Sequence, residues 1–483
     1  MIRKKNKRRL FYILLSLAVF LIWGIGIYDS QYLKQFYPTV SVRMENEKVT
    51  KKALIQAMKN EEEKKSNDIP VVTAWNRKKN QTIVNQKIGT KSKAALIEAY
   101  GDMKQVYPME FIYGNIVYPD DFEGCVIDKT LAYHLFRTTD VVGNFLQVQN
   151  KQYCIRGVIT SEESLCMIQC YEEDKAYSNL ELIYQNTDNG EAKIRDFMLQ
   201  NMLGENYSII DGAFYAKLLG VISQLPAWLL SFYIMYQIMK QIWKRRSIPL
   251  QAILLCCAYV ALWFLLTWIT DFKIHIPKQW IPTRWSDFDF WSRRYKEFHE
   301  QLTKLEYIMP IPKDIIFIRY ARRCIFCALT TLISLLSYLW YQHVWIEMGY
   351  TVLQEEVSNQ SIEYLYAESS SNVNRESLFT EGSSNVNRES LFTERSSNVY
   401  HDSIFSGISL SQKIKYIFGG KALLVVLIES IAILILYHNG KVFNVPKGYL
   451  LLMPFYQLGV DSIMLLKIVL RSKKICVTTL IER

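Results

Sequence analysis

The sequence is most informative at first for what it lacks. It has no phosphate-cradling Gly-x-x-x-x-Gly-Lys-Ser/Thr loop, which a chain hydrolysing ATP itself would need. The nearest string, Gly419-Gly420-Lys421-Ala422, lacks both the first glycine and the hydroxyl that would meet magnesium. No His-Glu-x-x-His zinc helix, Gly-x-Ser-x-Gly elbow or Cys/His ligand cluster occurs either. The six histidines are scattered, and His134 reads as a surface or partly packed side chain. The expectation is therefore a protein that is not an enzyme, with no catalytic, cofactor-binding or metal-binding residues and no cofactor. A nucleic-acid reader motif is also missing, so the net charge of +11 is not read as a nucleic-acid surface.

Long apolar runs are abundant. Half of the 483 residues are apolar. They cluster at Leu10–Tyr28, Ala213–Met239, Leu250–Thr270, Cys324–Trp340, Ala422–Tyr437 and Tyr449–Leu470, each near the length that crosses a bilayer. Basic residues flank these runs on one side, as the positive-inside bias requires. They are Arg3 to Arg9 before the first run, Lys240, Lys244, Arg245 and Arg246 after the second, Lys413 to Lys421 before the fifth, and Arg471 to Lys474 after the last. The pattern predicts a multi-pass cell-membrane protein with six transmembrane helices and both termini cytoplasmic. Arg319, Arg322 and Arg323 fall on the wrong side for this bias, and are expected to snorkel to outer phosphates. Pro226 should kink the second helix or mark a join.

The segments follow from these runs. Residues 1–28 hold the basic N-terminus and first span, and 29–212 an extracytoplasmic α+β domain inserted between spans one and two. Residues 213–270 hold spans two and three, 271–322 an aromatic exterior loop, and 323–346 span four. Residues 347–415 form a cytoplasmic linker, and 416–483 spans five and six with a basic C-terminus. The linker repeats a unit of thirteen residues, Ser370–Gly382, at Ser383–Arg395, and in decayed form at Ser396–Ile408. So little apolar surface per copy cannot offset the ordering entropy of a packed core, so a disordered linker is expected. In the aromatic loop, Trp280, Trp285 and Trp291 are candidate membrane-surface contacts at headgroup depth. Glu429 and Asp461 stand inside predicted spans, where an ionisable group costs several kcal/mol unless paired, protonated or wetted. They are either a proton or cation site, or groups that hydrogen-bond helix to helix or contact a partner subunit.

Within 29–212 the periodicity predicts a strand at Thr39–Met44 and a helix at Thr50–Lys65 with Thr50 as N-cap. Strands follow at Ile69–Trp75 and Thr82–Ile88, joined by the charged turn Asn76–Asn80, and then a helix at Lys91–Tyr100. That order is a split βαβ subdomain. A second, mixed subdomain has strands at Cys125–Ile127, Phe145–Val148 and Tyr153–Ile159 and a short helix at Lys129–Phe136. Further strands are expected at Leu165–Tyr171 and Leu180–Tyr184, and an amphipathic helix at Glu191–Leu203. Cys125, Cys154, Cys166 and Cys170 fall in this exterior part and could pair in three ways.

The second subdomain carries a family resemblance. Gly114, Asp120 to Asp128, Ala132, Leu135, Phe136, Val142, Gly143, Tyr153 and Ile155 to Ile159 form an ordered pattern that resembles the extracytoplasmic core domain of MacB-like ABC transporter permeases. The resemblance is clearest over 101–160 and extends over 39–160. It implies one span before a large exterior domain and three after it. It also implies a permease that transmits ATP-driven motion from a separate cytoplasmic ABC ATPase to that domain. A second permease copy, or a homodimer, is a further implied partner, besides the lipid bilayer. Lys240, Lys244, Arg245 and Arg246 are the candidate cytoplasmic contact. The chain departs from the family pattern in its brief 240–249 link, which lacks an Arg-Glu-rich coupling segment, and in its last two spans and repeat linker. The expected function is a non-catalytic transmembrane subunit of an ABC-type export or mechanotransmission system. The alternative is a membrane-anchored extracytoplasmic sensor or scaffold that binds a ligand without ATP.

Overall fold

The computed structural model describes residues 2–45, 48–64, 68–244, 249–270, 280–282, 284, 286–303, 306, 310–337 and 339–340. The chain divides into two compact units, Gly26–Ser223 with Phe272–Phe326, and Met1–Ile25 with Gln224–Asp271 and Cys327–Arg483.

The first of these is built on one ten-stranded sheet. Helix α1 (Ile2–Phe36) leads into β1 (Val40–Met44), and β2 (Val49–Thr50) into α2 (Lys51–Glu63). The Thr50 hydroxyl caps α2 by accepting the Ala53 N–H at 3.2 Å, as its sequence position predicts. The chain then runs through β3 (Val71–Asn85), β4 (Thr90–Tyr100), β5 (Glu110–Gly114), β6 (Gly124–Asp128), α3 (Lys129–Phe136), β7 (Phe145–Val148) and β8 (Lys151–Thr160). It continues with β9 (Leu165–Gln169), β10 (Ala176–Tyr177), β11 (Asn179–Ile183), α4 (Gly190–Gln200), β12 (Tyr207–Asp211) and α5 (Gly212–Lys244). Strand order in the sheet is β12-β1-β11-β3-β4-β9-β6-β8-β5, with β7 bridging β3 and β8.

Two expectations fail here. Asn76–Asn80 is not a turn: β3 passes through it, absorbing the irregularity as a bulge between Lys78 and Gln81. Its charges are neutralised sideways, Lys78 on Glu98 at 2.8 Å and Arg77 on Glu163. Lys91–Tyr100 is a strand and not a helix. Ala94 and Leu96 enter one core while Ala95, Ile97 and Ala99 enter another. A strand apolar on both faces loses its period of two, leaving only the helix preference of its alanines to read. The expected split βαβ subdomain and mixed second subdomain are consequently one continuous sheet.

Part of that sheet closes on itself, because β3, β4, β9, β6, β8 and β7 pair in a ring back to β3. All six strands and α3 contribute to a single buried cluster. Asp128 starts α3 by accepting from Thr130 and Leu131, and its carboxylate also takes the Leu165 N–H at 2.9 Å. Cys125, Cys154, Cys166 and Cys170 are buried free thiols, so none of the three pairings expected to be open is made. Strand β8 departs from strict alternation: Cys125 pairs with Ile155 but Val126 with Gly157. This bulge at Arg156 turns Ile155 and Val158 into the ring core and Ile159 into the opposite cluster.

The remaining sheet, β12-β1-β11-β3, separates two environments. Val40, Val42, Leu180 and Leu182 pack under α2 and α4 with Leu54, Ala57, Ile194 and Phe197. The opposite face meets Leu33 and Tyr37 of α1, Leu219 of α5, and Ile316 and Cys324 of a helix spanning 312–337, named α8.

Of the six expected spans, one lies in a helix long and apolar enough to cross a membrane among the described residues, Gly212–Trp243. Pro249–Phe264, within α6 (Pro249–Thr270), is a shorter apolar helix. Helix α5 continues through Pro226, and the boundary between the two units falls at Ser223/Gln224, just before it. Spans five and six, the repeat linker, Glu429 and Asp461 lie outside the described residues.

Candidate functional site: a buried ionic clamp

Thr39, Ser41 and Arg43 follow one another at alternate positions, so they share the face of β1 away from α2 and α4. Ser41 stands directly opposite Glu181 on β11, and Glu181 opposite Thr73 on β3. Five polar or charged side chains thus converge on one buried sheet face. The balance comes from α8. Pro312 opens that helix, where a missing N–H costs nothing, and Lys313 and Asp314 follow.

Arg43, Glu181 and Lys313 are all at most 1% exposed and Asp314 5%. Arg43 grips Asp314 with Nε at 2.8 Å and Nη2 at 2.9 Å, a two-pronged pairing. Its Nη1 lies 2.8 Å from Glu181 Oε1, and its guanidinium sits 5.4 Å from the centre of the Trp75 ring. The Trp75 indole donates to the same Glu181 oxygen at 3.2 Å. Glu181 Oε2 accepts from Ser41 at 2.6 Å, Thr39 at 2.8 Å and Lys313 Nζ at 2.6 Å. Lys313 Nζ donates further to the Gln105 carbonyl, and Tyr37 donates to the Lys313 carbonyl at 2.9 Å. Two positive and two negative charges cancel.

Burial by itself would raise the Glu181 carboxyl. The charges of Arg43 and Lys313, with the bonds from Lys313 and Ser41, outweigh it and hold the group at about 2. Burial pushes the Lys313 ammonium down, against the pull of Glu181. Nothing in the cluster is a poised nucleophile or a substrate-facing base. Its chemistry is mechanical: β1, β11 and the first turn of α8 are tied by charges that cannot separate without stranding an ion, which costs about 3–5 kcal/mol.

A second tie lies nearby in the same unit. Arg323 of α8 pairs with Asp29 of α1 through both carboxylate oxygens, and Tyr32 stacks on Tyr320 at 4.3 Å. Arg322 is paired with Glu306 and Arg319 with Glu162. The three arginines expected to reach for lipid phosphates each pair with a protein carboxylate.

Other expected site residues are scattered. Lys240 is exposed on α5, Lys244 is that helix's last residue, and Arg245 and Arg246 lie outside the described residues. Trp280 packs near Phe214, with ring centres 6.2 Å apart, and Trp291 is exposed on α7 (Phe290–Thr303); Trp285 lies outside the described residues. His134 is exposed on α3, as read from the sequence. The clamp itself escaped sequence reading. Its one local signal is the alternation Thr39-Val-Ser-Val-Arg43, polar at every second position in a strand that is otherwise apolar.

The clamp thus defines an α+β domain locked to helix ends. No family model and no curated protein matches the chain. Three solved structures are similar to part of it. The extracellular domain of the noncanonic ABC-type transporter YknZ from Gram-positive bacteria is 15% identical, with 36% of this chain and 99% of that one covered and a TM-score of 0.29. The periplasmic region of MacB from Actinobacillus actinomycetemcomitans is 12% identical, covering 37% and 91%, with a TM-score of 0.31. A permease-protein domain from Porphyromonas gingivalis is 13% identical, covering 37% and 91%, with a TM-score of 0.26.

Proposed function

We propose that the chain is a non-catalytic transmembrane subunit of an ABC-type export or mechanotransmission system. In this reading the Gly26–Ser223 unit lies outside the cytoplasm, six helices span the membrane, and a separate cytoplasmic ATPase supplies the energy. The observation that carries the reading is the clamp with its joints. Three residues separate α1 from β1, none separate β12 from α5, and α8 begins inside the ionic cluster. A domain joined to helices by flexible linkers would lose a push from the far side of the membrane. One joined through strands and buried ion pairs would carry it. The basic group Lys240, Lys244, Arg245 and Arg246 is the surface offered to the ATPase.

The test is co-purification from the native membrane. A stoichiometric ATPase that is lost when Lys244, Arg245 and Arg246 are changed to Glu supports the proposal. A chain that purifies without any ATPase, and retains a ligand on its exterior domain, is instead a sensor or scaffold.

A further inference from the structure

A cavity of about 420 Å³ opens in the sheet unit away from the clamp, where α4, the first turn of α5 and α7 meet. One wall is aromatic. Tyr215 and Phe298 have ring centres 5.9 Å apart, and Trp280 lines the same space. The other lining groups are charged, two of each sign. Arg195 sits on Glu191 at 2.6 Å, and Arg294 on Glu297 at 2.8 Å, each pair within one helix. Among the described residues the lining charges therefore balance, but they are locally divided into guanidinium and carboxylate. A plain anion would gain the arginines and meet the glutamates. A species carrying both signs would satisfy both, with its cation also against the rings.

Position narrows the choice further. Tyr215 belongs to the first turn of the helix long and apolar enough to span. Phe288, Tyr295 and Trp291, on or beside α7, are 89%, 68% and 56% exposed. Aromatic side chains left bare beside the end of a span match the headgroup layer of a bilayer.

We propose that this cavity holds the zwitterionic headgroup of a phospholipid, with its phosphate on Arg195 and Arg294 and its ammonium against Glu191, Glu297 and the rings. The site rests on the reading of Gly212–Trp243 as a span and not on coupling to an ATPase. It is accordingly tested on the full chain alone.

The chain is purified from membranes of equal parts phosphatidylethanolamine and phosphatidylglycerol, and retained lipid is counted by native mass spectrometry. The wild type should retain phosphatidylethanolamine with an enrichment of about tenfold, the R195Q/R294Q variant should fall to parity, and E191Q/E297Q should favour phosphatidylglycerol. Parity in the wild type, or unchanged enrichment in folded R195Q/R294Q, overturns the site. Should that variant fail to fold, W280L removes only a ring: a fall of about threefold supports the site and no change overturns it. Soluble O-phosphoethanolamine should displace the retained lipid where inorganic phosphate does not. Equal displacement by both would mark a simple anion site and refute a zwitterion site.

Discussion

At the scale of single residues, the densest set of buried charge contacts centres on Glu181. Glu181 receives five donors, from Ser41, Thr39, Trp75, Arg43 and Lys313, and is fully buried. Replacing it by Leu leaves two cations facing one anion and should cost about 3–5 kcal/mol of stability, measured as a shift in denaturant midpoint. The pair E181L/K313M keeps the Arg43–Asp314 fork and removes one charge of each sign. It should cost less than E181L alone, the signature of coupled partners in a double-mutant cycle. A double variant whose loss equals the sum of the singles would show that the two groups do not work together.

At the scale of elements, joints matter more than lengths. Asp211 is the last residue of β12 and is 5% exposed, and its carboxylate accepts the Phe214 N–H of α5 at 2.9 Å. It also takes a backbone bond from Glu191 at the start of α4, a helix whose own N-cap, Asn189, makes no side-chain cap. One carboxyl therefore begins two helices. Burial raises it to about 6, and its bonds to the two helix starts only partly offset this. The sign is set by that raised value. The folded state holds this proton up to about pH 6, whereas the unfolded chain releases it near the ordinary value of 3.8. The group's contribution therefore falls as pH rises through this window. Asp211→Asn keeps the cap without the charge, so its midpoint relative to wild type should rise between pH 4 and pH 7. A difference independent of pH would contradict the assignment. The backbone at this joint is as tight: a Cβ on Gly212 would lie 2.8 Å from the Thr39 carbonyl oxygen.

The elements also show what a sequence can reveal. Helix α3 is legible to the residue, because Leu131, Ala132 and Leu135 repeat at helical spacing behind a capping Asp128. Helix α2 is legible for the same reasons, through Thr50, Leu54 and Ala57. Strand β4 is not, because both of its faces are buried and its alanines favour helix. The charges of β3 imitate a turn because their partners, Glu98 and Glu163, are distant in sequence. The clamp is hidden still more deeply. Lys313 meets Glu181 across 132 positions, and nothing local to either residue announces the other.

At the scale of the whole molecule, the Gly26–Ser223 and Phe272–Phe326 unit fixes helix ends to its sheet by charge. Within residues 101–160, Cys125–Ile127, Lys129–Phe136, Phe145–Val148 and Tyr153–Ile159 all form the elements their spacing suggests, and they supply three of the six ring strands and the helix packed on them. The clamp lies beyond those elements, on β1, β11 and α8. The clamp supplies a rigid connection between sheet and helix within the Gly26–Ser223 and Phe272–Phe326 unit. Amide hydrogen exchange on the full chain in lipid nanodiscs probes that connection directly. If sheet and helix are fused, the amides of Val40–Met44, Asn179–Ile183 and residues 314–322 open with one common free energy, and E181Q lowers all three together. Helix amides that exchange ahead of the strands and ignore E181Q would contradict the fusion.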